Sequence, residues 1–258
     1  LDIRDAYLRL LKRALCDLLG PATYSAVPKP GGTVVAELLP RDQLERREVG
    51  ADWPMNATTM VGMCRLDQLQ ECIEAIIRDE VEGDLIETGV WRGGASIFMR
   101  AALLAFGGGE RAVWLADSFE GLPASRPELF PADAGHDEHF EFEFLAASED
   151  DVRGAFERYG LLDEKVRFLP GWFKDTLPPL TGRRPWSLLR LDGDMYESTI
   201  VALESLYPDL SPGGFVVIDD YGAVPQCRQA VEDFRAAQGI EEELRTIDWT
   251  GAFWRRGL

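Results

Sequence analysis

The chain has 258 residues, 46% of them hydrophobic and 28% charged, a composition that excludes disorder, collagen and a solenoid and fits a folded, water-soluble protein. With 27 Lys and Arg against 45 Asp and Glu, its formal charge is −18. Such a field repels polyanions, so nucleic acid and anionic membrane surfaces are excluded as main partners, while cations and neutral small molecules are favoured.

Ile3, Leu8, Leu11, Leu15, Leu18 and Leu19 recur at helical spacing, predicting an N-terminal helix over Ile3 to Leu19 that Gly20-Pro21 stops. Pro21 to Pro54 mixes Pro28-Lys29-Pro30-Gly31-Gly32 with a charged run over Arg41 to Glu48 and reads as an irregular arm or flap. Met60, Met63, Leu66, Leu69, Cys72, Ile73 and Ile76 predict a second helix within Thr59 to Glu80. The period then changes to that of a strand at Asp84 to Glu87, and Gly93-Gly94 opens a helix through Phe98, Leu103 and Leu104.

Further strands are expected at Ala112 to Ala116, Val166 to Leu169, Ser187 to Leu191 and Phe215 to Ile218, with a late pair within Leu244 to Trp254. Helical patterns at Ser148 to Tyr159 and Ser198 to Leu206 alternate with them. That alternation predicts an α/β fold: a doubly wound, mostly parallel sheet with helices on both faces. The expected division is an N-terminal helix and arm over 1–54 and one α/β domain over 55–258. A lid insertion is expected at about 123–147, holding Pro123 to Pro131 and the acidic, aromatic stretch His136 to Phe144, for which a plain solvated loop is the alternative.

Cys16, Cys64, Cys72 and Cys227 lack paired spacing, and with two histidines in the chain a zinc site is not expected. Free thiols in a reducing cytoplasm are the simpler reading. There is no signal-peptide pattern and no apolar run of the about 20 residues that a membrane span needs. Leu1 in place of Met points to a missing or processed N-terminus.

In open parallel sheets ligands bind beyond the carboxyl ends of the strands. The first such end reads Glu87-Thr88-Gly89-Val90-Trp91-Arg92-Gly93-Gly94, without the GxGxxG spacing that admits a pyrophosphate, which disfavours a nicotinamide oxidoreductase. A carboxylate there suits a cofactor bearing an amine or a sulfonium; a tight strand-to-helix turn is the alternative. Asp117 ends the next strand, where an acid can accept both ribose hydroxyls or merely cap the next helix. Asp192, Asp194, Asp219 and Asp220 follow two strands that a parallel sheet would align, and carboxylates that close repel unless protonated or bridged by a cation. All-oxygen ligation suits Mg²⁺, with Ca²⁺ and Mn²⁺ as rivals, and separate helix caps are the other reading.

From Asp52 to the C-terminus the chain resembles the macrocin O-methyltransferase type of sugar O-methyltransferases from antibiotic biosynthesis, which use S-adenosylmethionine. The matching stretches are Asp52-Trp53-Pro54, Thr59-Met60-Val61-Gly62, Gly83 to Gly94, Asp117-Ser118-Phe119-Glu120-Gly121 and Tyr159 to Asp163. They continue through Arg167 to Thr176, Leu191-Asp192-Gly193-Asp194, Ile218-Asp219-Asp220-Tyr221 and Phe253-Trp254-Arg255-Arg256. The resemblance implies a class I, Rossmann-like methyltransferase fold with Glu87, Gly89, Asp117, Ser118 and Asp192 around S-adenosylmethionine, Thr59 and Met60 covering it and Trp172 near the adenine. It also implies Mg²⁺ on Asp192, Asp219 and Asp220. Asp194 is the first candidate for the base that deprotonates the acceptor, with Asp192 and His139 as alternatives. The expected acceptor is a glycosylated natural product or a nucleotide-sugar, and the expected assembly a homo-oligomer. Methylation of a catechol or other phenol, and a non-catalytic metal-binding or oligomeric protein on the same fold, are the rival readings.

Overall fold

The computed structural model describes residues 2–135 and 142–257. The helix α1 spans Ile3–Leu15, shorter than its apolar pattern because Asp17 turns into the left-handed region at φ 56°. The arm is ordered, against the irregular expectation: β1 (Thr23–Lys29) and β2 (Thr33–Leu39) form an antiparallel hairpin closed at Pro30-Gly31-Gly32, followed by the short α2 (Leu44–Glu48). Pro28 is tolerated because the sheet has only two strands, so a missing N–H can face outward.

The main chain of the fold follows: α3 (Gly62–Arg78), β3 (Asp84–Thr88), α4 (Gly94–Phe106), β4 (Val113–Asp117), α5 (Glu149–Arg158) and β5 (Val166–Pro170). Then come α6 (Phe173–Thr176), β6 (Trp186–Leu191), α7 (Tyr196–Leu206), β7 (Leu210–Ile218), α8 (Pro225–Gln238), β8 (Arg245–Thr246) and β9 (Ala252–Arg255). The helix α8 was not anticipated. It starts on a proline at its first turn, where a missing N–H costs no hydrogen bond, and buries Cys227, Ala230, Val231 and Phe234 on one face.

The seven-stranded sheet has the order β5-β4-β3-β6-β7-β9-β8. The first five are mutually parallel, and β9 runs antiparallel to both β7 and β8, so the expected doubly wound sheet carries an antiparallel edge. One face packs Leu8, Leu66, Phe98 and Phe156 from α1, α3, α4 and α5; the other packs Leu203 and Phe234 from α7 and α8 onto Trp186 and Trp254. Chain direction across the sheet reverses between β3 and β6, which is where such a sheet opens a crevice for ligands. No helix among the described residues is long and apolar enough to cross a membrane.

Candidate active site

The crevice at the β3/β6 switch point is part of a cavity of about 830 Å³, within the range that holds small molecules with most of their surface buried. At its floor the two strand ends touch. The Asp192 N–H donates to the Thr88 carbonyl at 2.9 Å, and Gly89, at φ 83°, lies so close that a Cβ there would fall 1.8 Å from the Asp192 carbonyl oxygen. Only glycine fits that contact.

Gly89, Asp117, Ser118, Trp172 and Met60, all expected around the cofactor, line this cavity. Asp117 accepts the N–H of Val90 at 2.7 Å on one oxygen and that of Phe119 at 2.8 Å on the other, with the Ser118 hydroxyl at 3.5 Å from the latter, so its carboxylate is fixed in direction. Burial raises its pKa and those backbone donors oppose the rise. Glu87, also expected around the cofactor, is held from two sides at the end of β3. Its buried side chain accepts from Arg190 Nη1 at 2.6 Å and from the Ser96 hydroxyl on α4, and with Thr59 it faces a much smaller space that shares Met60, Trp91 and Asp192 with the main cavity. Burial pushes its carboxyl up to about 7 in spite of Arg190 and Ser96.

Beyond β6 and β7, Asp192, Asp219 and Asp220 each bring a carboxylate oxygen within 4.8 Å of the others. Asp192 rises to about 6, through burial and then the charge of Asp219, with Arg190 opposing; Asp220 rises well above the usual carboxylate range through burial and the charges of Asp194, Asp192 and Asp219. Crowded hard oxygen donors that disfavour one another's ionisation are the chemistry a divalent cation relieves, so the set fits Mg²⁺. Asp194 stands beside the trio. It lines the cavity, adopts φ 55° and donates its backbone N–H to Asp220 Oδ2 at 3.3 Å. His139 lies outside the described residues.

The model of the family described as Macrocin-O-methyltransferase (TylF) matches residues 32–256 of the chain. The chain belongs to the macrocin-O-methyltransferase family. It is 52% identical over 255 residues to the 8-demethyl-8-(2,3-dimethoxy-alpha-L-rhamnosyl)-tetracenomycin-C 4'-O-methyltransferase of Streptomyces olivaceus, covering 98% of this chain and 94% of that one. It is 46% identical over 254 residues to the mycinamicin III 3''-O-methyltransferase of Micromonospora griseorubida, covering 98% and 96%. The solved structure of the O-methyltransferase NovP superposes with a TM-score of 0.86 at 43% identity, covering 99% of this chain and 100% of that one. The chain is an S-adenosylmethionine-dependent O-methyltransferase.

Several residues of this macrocin-O-methyltransferase site were not singled out in the sequence. Arg190, in the buried strand β6, donates to Glu87, to Asp192 at 3.0 Å and to Asp219; Arg65, on α3, donates to Asp219 and to Asp248 at 3.1 Å. Burial works against the charge on Arg190, yet Asp219, Glu87 and Asp192 outweigh it and raise its pKa. A charged residue inside an otherwise apolar strand, and one four residues before Leu69 on the apolar face of α3, were the available signals.

The hairpin forms another cavity wall through Val27, Pro28, Leu38 and Leu39. It is tied down by Arg47, whose buried guanidinium meets Asp52 at 2.9 and 2.7 Å and the Tyr24 carbonyl at 2.9 Å, while Ser25 donates to Asp52 at 2.6 Å. Trp53, next to Asp52, stacks on Phe144 with centroids 6.0 Å apart, and Trp91 donates its indole N–H to the Phe144 carbonyl at 3.2 Å. On the opposite side Asp133, fully buried, accepts the N–H groups of Tyr196 at 2.8 Å and Glu197 at 3.0 Å at the start of α7, and Arg126 pairs with Glu197. Both described ends of the expected lid region are therefore fastened to the cavity rim.

Proposed function

We propose that this enzyme transfers the methyl group of S-adenosylmethionine to a hydroxyl of a deoxysugar carried by an apolar natural product, with Mg²⁺ held by Asp192, Asp219 and Asp220. The observation that carries the reading is the carboxylate trio at the switch-point cavity with Asp194 beside it. Asp117, with Ser118, takes the ribose hydroxyls, Gly89 gives the cofactor access to backbone, Met60 and Thr59 cover it, and Trp172 stands on the adenine side. Glu87 acts on this arrangement through Arg190.

A divalent ion held by Asp192, Asp219 and Asp220 would supply Lewis acidity that lowers the pKa of the acceptor hydroxyl. Asp194 takes the hydroxyl proton as the oxygen attacks the methyl carbon in line; the O–C bond forms, the C–S bond breaks, and S-adenosylhomocysteine leaves with the electron pair on sulfur. Asp192 orients the same centre from the floor of the crevice. Methyl transfer needs the two reacting atoms held in line at close approach, which is the service of the strand-end backbone contact between Gly89 and Asp192.

Charge and shape of the lining favour a glycoside over a nucleotide-sugar. Among the described residues eight carboxylates line the cavity, Glu37, Asp52, Asp117, Asp192, Asp194, Glu197, Asp219 and Asp220, against four cations, Arg46, Arg65, Arg126 and Lys174. Of those cations Arg65, Arg126 and Lys174 are already paired with Asp219, Glu197 and Asp175. Among the described lining cations that leaves Arg46 for a diphosphate, whereas the apolar wall of Val27, Pro28 and Leu38 suits an aglycone. The rhamnosyl group in the name of the Streptomyces olivaceus relative supports a sugar acceptor on an antibiotic scaffold.

The enzyme acts as a cytoplasmic homo-oligomer, the 1–54 arm serving acceptor binding and assembly; the exposed Ile3, Tyr7 and Leu10 along α1 support that assignment. Light scattering that finds only monomer contradicts the oligomer. Calorimetric titration with S-adenosylhomocysteine, with and without Mg²⁺, tests the cofactor reading without knowledge of the acceptor: stoichiometric binding is expected, and no binding in either condition overturns it. A panel of glycosides, nucleotide-sugars and catechols then separates the acceptor classes.

A further inference from the structure

Asp219 is held from two sides. Its Oδ1 accepts from Arg190 Nη2 and its Oδ2 from Arg65 Nη1. The two guanidiniums differ in setting. Arg190 sits within the sheet, bonded to the ends of β3, β6 and β7, and is part of the fold's interior. Arg65 reaches in from α3, lines the cavity, and is the cation that an ion arriving at the trio from that cavity meets.

Its place is built. Arg65 is 4% exposed, donates from Nε to Asp248 at 3.1 Å, and donates from Nη2 to the Gly50 carbonyl at 3.3 Å. Gly50 leaves the room: a Cβ on it would lie 2.3 Å from that Nη2. Three separate segments, the arm at Gly50, the end of β7 at Asp219 and the turn before β9 at Asp248, converge on one guanidinium.

We propose that Arg65 is, beside the sheet-bound Arg190, the cavity-side counter-cation of the Asp192, Asp219 and Asp220 trio, and that its charge keeps divalent-ion affinity low enough for exchange. The inference rests on the metal reading above. Three carboxylates with no cation beside them repel one another and bind a divalent ion tightly; a guanidinium in ion-pair contact with one of them removes part of that repulsion and itself repels the incoming ion. Arg65 thus tunes the site by charge. A residue that merely kept Asp219 in shape would have the opposite effect on removal, because a loosened ligand set binds metal less well. The sign of the change distinguishes the two roles.

The test is Mn²⁺ binding to EDTA-stripped enzyme carrying S-adenosylhomocysteine, read by the electron paramagnetic resonance of free Mn²⁺. Arg65→Gln is expected to tighten Mn²⁺ by about tenfold or more, from the loss of one unit charge at contact range. Arg65→Lys keeps the charge and is expected to stay within about threefold of the parent. Arg65→Met, of similar length and uncharged, is expected to tighten Mn²⁺ likewise; it carries the test if Arg65→Gln does not fold. Unchanged or weaker binding in Arg65→Gln, or in Arg65→Met where that variant carries the test, overturns the inference while leaving the metal reading standing. Absence of Mn²⁺ binding by the parent enzyme overturns that reading and this inference with it.

Discussion

Arg190 donates to Asp192 at 3.0 Å with the same Nη1 that it offers to Glu87 at 2.6 Å, so one buried guanidinium links the first strand end of the sheet to the carboxylate at the centre of the proposed chemistry. Burying a charge this deeply is tolerable only with partners on all sides. Asp219 supplies the third.

Asp192→Asn is expected to abolish Mg²⁺-supported methyl transfer, by about 10²-fold or more, and to weaken Mn²⁺ binding. The fold should survive, because the substitution removes one carboxylate from a mutually repelling set. Turnover together with thermal unfolding checks this; normal Mg²⁺-dependent turnover in the variant contradicts the assignment.

Divalent-ion affinity should fall with pH. Burial and the charge of Asp219 raise Asp192 to about 6, and burial with Asp194 raises Asp220 well above the usual carboxylate range, so between neutral pH and 5 protons compete with the ion for its ligands. For the metal-free protein the sign is the reverse of the usual acidic case. A carboxyl raised from 3.8 to about 6 on folding stabilises fully below the lower value, and that contribution is lost as pH rises through the upper one. Stability of the stripped enzyme against pH, with and without Mg²⁺, reads both effects; a metal affinity flat from pH 7.5 to 5 contradicts the account.

Asp117→Ala should weaken S-adenosylhomocysteine by about 10-fold or more, from lost charge-assisted hydrogen bonds, while Mn²⁺ affinity stays near that of the parent. Calorimetry of both ligands separates the two. The substitution also frees the N–H groups of Val90 and Phe119, so some loss of stability accompanies it.

Asp133→Ala removes the acceptor for the first N–H groups of α7, whose next residues Glu197, Ser198 and Val201 line the cavity. A loss of stability of about 1–3 kcal/mol is expected from two unsatisfied donors. The acceptor KM should rise with cofactor affinity unchanged. Steady-state kinetics with acceptor and cofactor varied in turn checks it, and a rise in cofactor KM alone contradicts it.

The five parallel strands were legible because buried strands such as Ser187 to Leu191 are short apolar runs bounded by turn residues, and the polar residues at their ends pointed to the crevice. The hairpin was obscured by Pro28 and Pro30, although Gly31-Gly32 between two β-rich runs carried a turn signal. The carboxylate trio could be read because Asp192 and Asp219-Asp220 follow strands that pair in parallel. Its counter-charges could not: Arg190 reaches Glu87 across 103 residues of sequence and Arg65 reaches Asp219 across 154, distances over which no local pattern speaks. The direction of the Glu87 carboxylate was unreadable for the same reason, since its partners Arg190 and Ser96 decide which way it faces.

The most direct measurement is transfer of labelled methyl from S-adenosylmethionine to a panel of deoxysugar glycosides and nucleotide-sugars, run in EDTA and again after Mg²⁺ is restored. The account predicts a methylated glycoside that forms only with Mg²⁺ and no product from the nucleotide-sugars. Equal rates in EDTA, or transfer confined to nucleotide-sugars, would contradict it.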